Sequence, residues 1–173
     1  MRSRANVVTP IRSLLGEDRP AIEALLVETD VFTKEEIDVA LELVDAVLSD
    51  PNQRDYEICV AHDEERTAIG YYCIGPTPVT SGTYDLYWIA VKPSLHDRGV
   101  GKELLAHAEE RIRSRGGRLV LAETSSQPKY EHTRRFYLRN GYAEVARIKE
   151  YYKPGDDLVV YGKYLSHLRS NEN

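Results

Sequence analysis

Residues 89–105 read IAVKPSLHDRGVGKELL, an apolar strand followed by a polar loop and by a helix that begins beside two glycines. The first N–H groups of a helix have no partner within the helix and lie at the positive end of its dipole. Gly99 and Gly101 let a ligand approach the backbone closely, and Arg98 and Lys102 add local positive charge. The segment therefore predicts a turn that binds phosphate groups.

Three phosphate-binding motifs compete for this turn, and spacing separates them. A Walker A loop needs glycine at position 96 and serine or threonine at position 103, where this chain has His96 and Glu103. A dinucleotide-binding fingerprint needs a third glycine where Leu104 stands, and it follows an early strand of a βαβ unit. Both motifs fail, which leaves a turn with the spacing of His96, two residues, glycine, any residue and glycine.

Apolar spacing along the rest of the chain predicts alternating helices and strands. Asp18 and Pro20 start a first helix, and Thr33 with Glu36 forms a capping box that starts a second. Helices are also predicted after Gly99 and at residues 130–140, and strands at residues 7–11, 56–61, 68–74, 84–91, 119–124, 144–151 and 158–165. The order βααβββαβαββ predicts an α/β (α+β) fold, with a mixed sheet flanked by helices.

Composition narrows the class of protein. A length of 173 residues predicts one core and a single domain over residues 1–173, and the net charge of -5 disfavours nucleic acid and membrane surfaces as partners. No apolar run is long enough to span a bilayer, so we expect a cytoplasmic protein. Cys59 and Cys73 lack CxxC spacing and the five histidines lack metal-ligand spacing, so we expect no metal site.

Two motifs on this framework match one family. Residues 96–101 fit the pattern of a basic residue or glutamine, two residues, glycine, any residue and glycine, with histidine in place of the usual glutamine or arginine. Residues 136–142, FYLRNGY, form the second motif, Phe-Tyr followed after three residues by Gly-Tyr. Over residues 84–165 the chain resembles the GNAT superfamily of acyl-CoA-dependent N-acetyltransferases.

The resemblance implies a GNAT-like, mainly antiparallel sheet of six to seven strands and acetyl-CoA as the cosubstrate. It places the pyrophosphate on backbone N–H groups of the glycine turn. It also implies that the strand that ends at Val91 separates from the strand at Leu119, and that pantetheine inserts between them as an added strand. The residues expected to contact acetyl-CoA are Ile89, Val91, His96, Asp97, Arg98, Gly99, Val100, Gly101, Lys102 and Phe136.

The same resemblance assigns roles in acyl transfer. Tyr137 takes the position of the general acid, because a phenol of pKa about 10 is matched to protonate a thiolate whose parent thiol has a pKa of about 8.5. The backbone N–H of Val91 would polarise the thioester carbonyl and stabilise the negative oxygen of the tetrahedral intermediate. We expect the amine to attack acetyl-CoA directly, without a covalent acyl-enzyme, since neither cysteine lies near the inferred site.

Two carboxylates are candidates for the base that deprotonates the amine. Period-two alternation along the strand predicts that Asp85 shares a face with Tyr87, Ile89 and Val91, and Glu123 lies on a strand that runs towards the inferred site. Glu123 is favoured slightly. An ordered water that carries the proton away is the third route.

The acceptor and the activity itself have alternatives. The amine could belong to a small molecule or to a peptide, and the sequence ranks the two equally. A non-catalytic acyl-CoA-binding module is one rival to the enzyme, and a nucleotide-binding enzyme that uses the same glycine turn is another. Whether the chain acts alone or as a homodimer also stays open.

Overall fold

The computed structural model describes residues 9–165, which form one seven-stranded sheet with two helices packed on each face. Three short 3₁₀ turns, Gly16–Asp18, Pro93–Leu95 and Pro128–Tyr130, precede α1, α3 and α4. The helices and strands are β1 (Ile11–Ser13), α1 (Arg19–Glu28), α2 (Lys34–Ser49), β2 (Glu57–His62), β3 (Ala68–Pro76), β4 (Thr83–Val91), α3 (Val100–Ser114), β5 (Leu119–Ser125), α4 (Glu131–Arg139), β6 (Ala143–Lys153) and β7 (Asp156–Tyr164).

The sheet has the strand order β1-β2-β3-β4-β5-β7-β6. β4 and β5 are parallel neighbours, and the other five neighbouring pairs are antiparallel. The parallel pair requires a crossover, which α3 supplies. As a result the N-terminus of α3 lies at the end of β4, next to the line where the two halves of the sheet meet.

Each face of the sheet has its own apolar core. The α1–α2 face buries Leu26 and Val44, and the α3–α4 face buries Leu104 and Ile112. The consecutive tyrosines of β3 show the alternation directly, because Tyr71 packs in the first core and Tyr72 in the second, and both are fully buried. Two cores on one sheet hold β4 rigidly from both sides.

Local sequence signals explain where several helices begin and end. The hydroxyl of Thr33 accepts a hydrogen bond from the Glu36 N–H at 3.2 Å, and the Glu36 carboxylate accepts one from the Thr33 N–H at 2.7 Å. This is the predicted capping box. At the far end of α3, Gly116 adopts a φ of 76°, which a residue with a side chain would rarely take.

The predicted order of elements and the mixed sheet are confirmed, with seven strands. The first strand differs from its prediction near residues 7–11, since β1 begins at Ile11 and residues 7 and 8 lie outside the described range. Its position follows from its partner β2, because Ile11 pairs with Ala61 and Ser13 with Cys59. Local sequence alone carried no information about that long-range pairing.

Candidate active site

A cleft opens where β4 and β5 part. The two strands pair only from Thr83 to Asp85 on β4 and from Leu119 to Leu121 on β5, and β5 continues along β7 alone. The final six residues of β4 thus have β3 on one side and no strand on the other. The separation of the two strands that the family resemblance implies is present, and it begins at residue 86.

Backbone groups of β4 point into this cleft. The Lys92 N–H donates to the Ile69 carbonyl at 2.8 Å, which makes Val91 and Gly70 a non-hydrogen-bonded pair of the antiparallel ladder. In such a pair the N–H and C=O groups face away from the partner strand, so those of Val91 face the cleft. The alternation gives the same orientation to the N–H and C=O of Ile89. β4 therefore presents donors and an acceptor to an extended ligand.

The N-terminus of α3 borders the same cleft. The first bond of the helix runs from the Glu103 N–H to the Gly99 carbonyl at 3.0 Å, so the N–H groups of Val100, Gly101 and Lys102 have no partner within the helix. Gly99 adopts a φ of 91° with open space around its Cα, so its role is conformational. Backbone N–H groups arranged in this way can bind an anion.

Glu103 places a carboxylate in the first turn of that helix. This carboxylate accepts a hydrogen bond from the Thr9 N–H at 2.8 Å. Asp97, on the loop that precedes α3, has a φ of 59°, an uncommon value for a residue with a side chain. The tight turn that this conformation helps to form turns the chain from β4 into α3.

A cavity of about 440 Å³ occupies the cleft. Its walls come from β4, the glycine turn, α4 and the loop between α1 and α2. Eight of the ten residues expected to contact acetyl-CoA line it, and the other two, Arg98 and Val100, do not. The eight are Ile89, Val91, His96, Asp97, Gly99, Gly101, Lys102 and Phe136. Tyr137, the expected general acid, is not among the lining residues.

Several lining residues had not been predicted. Lys129, His132, Thr133 and Asn140 lie on the face of the 3₁₀ turn and α4 that also carries Phe136. Their spacing of three, four and seven residues is the spacing of one helical face, and projection from Phe136 could have found them. Thr29, Val31 and Phe32 come from the α1–α2 loop, and the sequence held no signal for them.

Tyr137 lies beneath the cleft rather than on its wall. Its side chain is 4% exposed and its ring packs against those of Phe136, Tyr142 and Tyr161, with centroids 5.5–5.7 Å apart. Burial raises the pKa of the Tyr137 phenol well above its usual value. The raised pKa keeps the hydroxyl protonated at neutral pH. Within residues 9–165 no group hydrogen-bonds to it, so its proton is not engaged by another acceptor there.

A bulge in β4 corrects the expected position of Asp85. The β3–β4 pairing skips Tyr87, and one extra residue reverses the face of everything beyond it. Ile89 and Val91 consequently pack in the α3–α4 core together with Leu86, while Asp85 lies on the opposite face. The expectation that Asp85 shares a face with Ile89 and Val91 is wrong, because the alternation does not continue through the bulge.

Asp85 and Glu123 instead lie together on the α1–α2 face of the sheet. Asp85 pairs with Leu121, and Glu123 is two residues further along the same strand. Asp85 accepts a hydrogen bond from the Thr77 hydroxyl at 2.7 Å. Partial burial, and then the charge of Asp85, raise the pKa of the Glu123 carboxyl above its usual value. A carboxylate with a raised pKa binds a proton more tightly, so Glu123 is a stronger base than an ordinary carboxylate.

Aromatic rings close the cleft towards the α1–α2 loop. Phe32 lies edge-on to Trp88 with centroids 5.0 Å apart, and 6.5 Å from the ring of Tyr130. The Tyr130 hydroxyl donates to the Glu36 carboxylate at 2.6 Å, and the Lys129 ammonium donates to a backbone carbonyl of the loop at 2.9 Å. These contacts join the loop to the start of α4 across one end of the cavity.

Within residues 9–165, no helix is long and apolar enough to cross a membrane, and no cluster of three or more potential metal ligands occurs.

Known proteins are similar to this chain in sequence and fold. The pattern of the Acetyltransferase (GNAT) family matches residues 19–142. Aminoalkylphosphonate N-acetyltransferase of Salmonella typhimurium is 30% identical over 148 residues, which cover 83% of this chain and 92% of that protein. A GNAT-family structure from Desulfovibrio desulfuricans is 42% identical with a TM-score of 0.85, over 91% of this chain and 99% of that one.

A more distant structure shows the same fold. An aminoglycoside 6'-N-acetyltransferase in complex with coenzyme A is 16% identical, with a TM-score of 0.69 over 90% of this chain and 96% of that one.

Proposed function

Because this chain belongs to the GNAT family of acyl-CoA-dependent N-acetyltransferases, we propose that it transfers the acetyl group of acetyl-CoA to a primary amine of a small molecule or peptide. The amine attacks the thioester directly. One observation carries the proposal, namely that the cleft-facing backbone groups of Ile89 and Val91 lie beside the unpaired N–H groups at the start of α3. That pairing of sites matches a ligand with an amide-containing arm and a pyrophosphate.

The cavity residues divide into two groups by what they would hold. The turn from His96 to Lys102, which includes Asp97, Arg98, Gly99, Val100 and Gly101, would enclose the pyrophosphate. The free N–H groups of Val100, Gly101 and Lys102 would bind it, with positive charge from Arg98 and Lys102. The backbone groups of Ile89 would pair with the pantetheine amides, and the N–H of Val91 would face the thioester carbonyl. Phe136 would pack against that arm from α4, where its ring already lies 3.3 Å from the position of a β-carbon on Gly101.

The chemical step needs an oxyanion donor and an acid. The amine nitrogen bonds to the thioester carbon, and the N–H of Val91 stabilises the negative oxygen that forms there. The C–S bond then breaks, and Tyr137 donates its proton to the departing thiolate. For this donation the Tyr137 hydroxyl must point from beneath the cleft towards the sulfur. No other hydrogen-bond partner within residues 9–165 competes for the hydroxyl.

Glu123 is the base that we favour for the amine. Glu123 is exposed on the α1–α2 face. Its raised pKa is closer to the pKa of the acceptor's ammonium group, which favours proton transfer from that group to the carboxylate. Asp85 supports it through its charge and is the second candidate. An ordered water that relays the proton to solvent remains the third route.

The acceptor is expected to approach from the α1–α2 face, because the α3–α4 side carries the anion site. Phe32, Trp88 and Tyr130 offer aromatic walls there, and Glu36, Glu123 and Asp85 add negative charge suited to an ammonium group. The Salmonella relative is named for aminoalkylphosphonates, so small amines of that type belong in the first panel beside peptide N-termini. We further propose that residues 1–173 form one cytoplasmic domain.

A turnover assay with a panel of amines tests the proposal. Release of the CoA thiol should depend on both acetyl-CoA and an amine, and mass spectrometry should find the amine heavier by one acetyl group. If acetyl-CoA binds but no aminoalkylphosphonate, diamine, aminoglycoside or peptide is acetylated, the chain is the non-catalytic acyl-CoA-binding module instead. Protection against unfolding by ATP but not by CoA would support the nucleotide-binding alternative.

A further inference from the structure

His96 is turned back onto the strand that precedes it. Its Nε2 lies 2.9 Å from the carbonyl oxygen of Val91. A carbonyl can only accept, so Nε2 carries the proton and donates. A face of the imidazole ring stacks on His132 of α4, with centroids 5.6 Å apart and ring planes 14° from parallel.

The carbonyl that His96 caps has a special location. It belongs to the edge of β4 that faces the cleft, where β5 no longer pairs. Without the imidazole it would be an unpaired acceptor on the same residue whose N–H is the proposed oxyanion donor. A free carbonyl dipole there would repel a developing negative oxygen, and the end of the strand would rotate more freely.

We propose that His96 is a positioning residue for acyl transfer, which holds the end of β4 by capping the Val91 carbonyl and so aligns the Val91 N–H with the thioester. This inference rests on the proposed function. His96 acts on the chemical step through Val91 rather than as a direct ligand of the pyrophosphate. His132 supports the imidazole by stacking and joins the glycine turn to α4.

Three substitutions separate the hydrogen bond from the ring. His96→Gln keeps an N–H donor of similar reach and loses the ring, whereas His96→Phe keeps the ring and loses the donor. His132→Ala removes the stacking partner and leaves the hydrogen bond. We expect kcat to fall roughly tenfold in His96→Phe, the size of one lost neutral hydrogen bond, and to stay within about twofold of wild type in His96→Gln. The dissociation constant for acetyl-CoA should change by less than about twofold in both.

Nuclear magnetic resonance reads the same hydrogen bond without any turnover. Val91-Lys92 is the only Val-Lys step in the sequence, so protein labelled with ¹³C-carbonyl valine and ¹⁵N-lysine gives a single carbonyl–amide correlation. The Val91 carbonyl signal should move in His96→Phe and stay near its wild-type position in His96→Gln and His132→Ala. An enzyme that fails to acetylate any amine would refute the proposed function, while this signal still tests the hydrogen bond.

The kinetic and spectroscopic results decide the inference together. A fully active His96→Phe variant, or a His96→Gln variant as slow as His96→Phe, would overturn it. Weaker acetyl-CoA binding in both variants with unchanged kcat would also overturn it, because that pattern belongs to a direct phosphate ligand. An unmoved Val91 carbonyl signal in His96→Phe would show that the hydrogen bond itself is absent in solution.

Discussion

Substitution of Tyr137 by phenylalanine separates proton donation from packing. The ring packs among Phe136, Tyr142 and Tyr161, and phenylalanine keeps all of those contacts. The hydroxyl has no hydrogen-bond partner within residues 9–165, so its removal breaks no bond in the folded protein. The variant should therefore differ from wild type in one respect, the absence of the proposed acid.

Tyr137→Phe is expected to have a large effect on turnover and a small effect on stability. Loss of a general acid lowers the rate by about 10²- to 10⁴-fold, which corresponds to about 3 to 5 kcal/mol of transition-state stabilisation. Loss of an unpartnered hydroxyl from a packed ring should change the free energy of unfolding by less than about 1 kcal/mol. Turnover and stability thus respond on different scales, and one variant measured in both ways distinguishes the two roles.

The assay measures kcat, the dissociation constant for acetyl-CoA and the melting temperature of Tyr137→Phe. Tyr142→Phe is the matched control, because Tyr142 contacts the same ring and its buried hydroxyl also has no hydrogen-bond partner. The control should keep wild-type turnover and, like Tyr137→Phe, change the free energy of unfolding by less than about 1 kcal/mol. A fully active Tyr137→Phe enzyme, or equal rate losses in the two variants, would remove Tyr137 from the mechanism.

Three further perturbations follow from the structure. Gly101→Val should weaken acetyl-CoA binding about tenfold, because the added β-carbon would lie only 3.3 Å from the Phe136 ring. Titration calorimetry measures the dissociation constant. In Glu123→Gln the acidic limb of the kcat/KM profile should disappear, since a base of raised pKa loses activity as pH falls through that pKa. Arg12→Met should cost about 3 kcal/mol in urea unfolding at pH 7, because it strands the buried Asp18 carboxylate.

The effect of Arg12→Met on the free energy of unfolding should depend on pH. Burial opposes ionisation of Asp18, but hydrogen bonds from Arg12 and the Leu15 N–H lower the net pKa of its carboxyl. A lowered pKa contributes stability above the unfolded value of about 3.9, and the contribution is lost as pH falls below it. The difference in unfolding free energy between wild type and Arg12→Met should accordingly shrink below about pH 4. A constant difference down to pH 3 would contradict the assignment.

The sequence predicted those features that short-range chemistry controls. Spacing alone located the capping box of Thr33 and Glu36, and the glycine turn located the start of α3. Apolar periodicity gave the order of the helices and strands. Each of these features depends on residues within about one helical turn or one strand of each other.

Long-range contacts explain what the sequence missed. The bulge at Tyr87 arises from the pairing of β4 with β3, so alternation misplaced Asp85. Phe32 reaches the cavity because α1 and α2 dock on the sheet and the loop between them then lies over the cleft. The bond from His96 to Val91 depends on the way the loop folds back, and a histidine in a loop gives no indication of its partner.

A crystal structure with acetyl-CoA, or with an unreactive analogue of it, tests the central claim most directly. The account predicts the pyrophosphate on the N–H groups that precede the Glu103–Gly99 bond of α3. It also predicts the thioester carbonyl oxygen at about 3 Å from the N–H of Val91, between the parted strands β4 and β5. A cofactor bound elsewhere on the molecule, or a Val91 N–H turned away from the thioester, would contradict it.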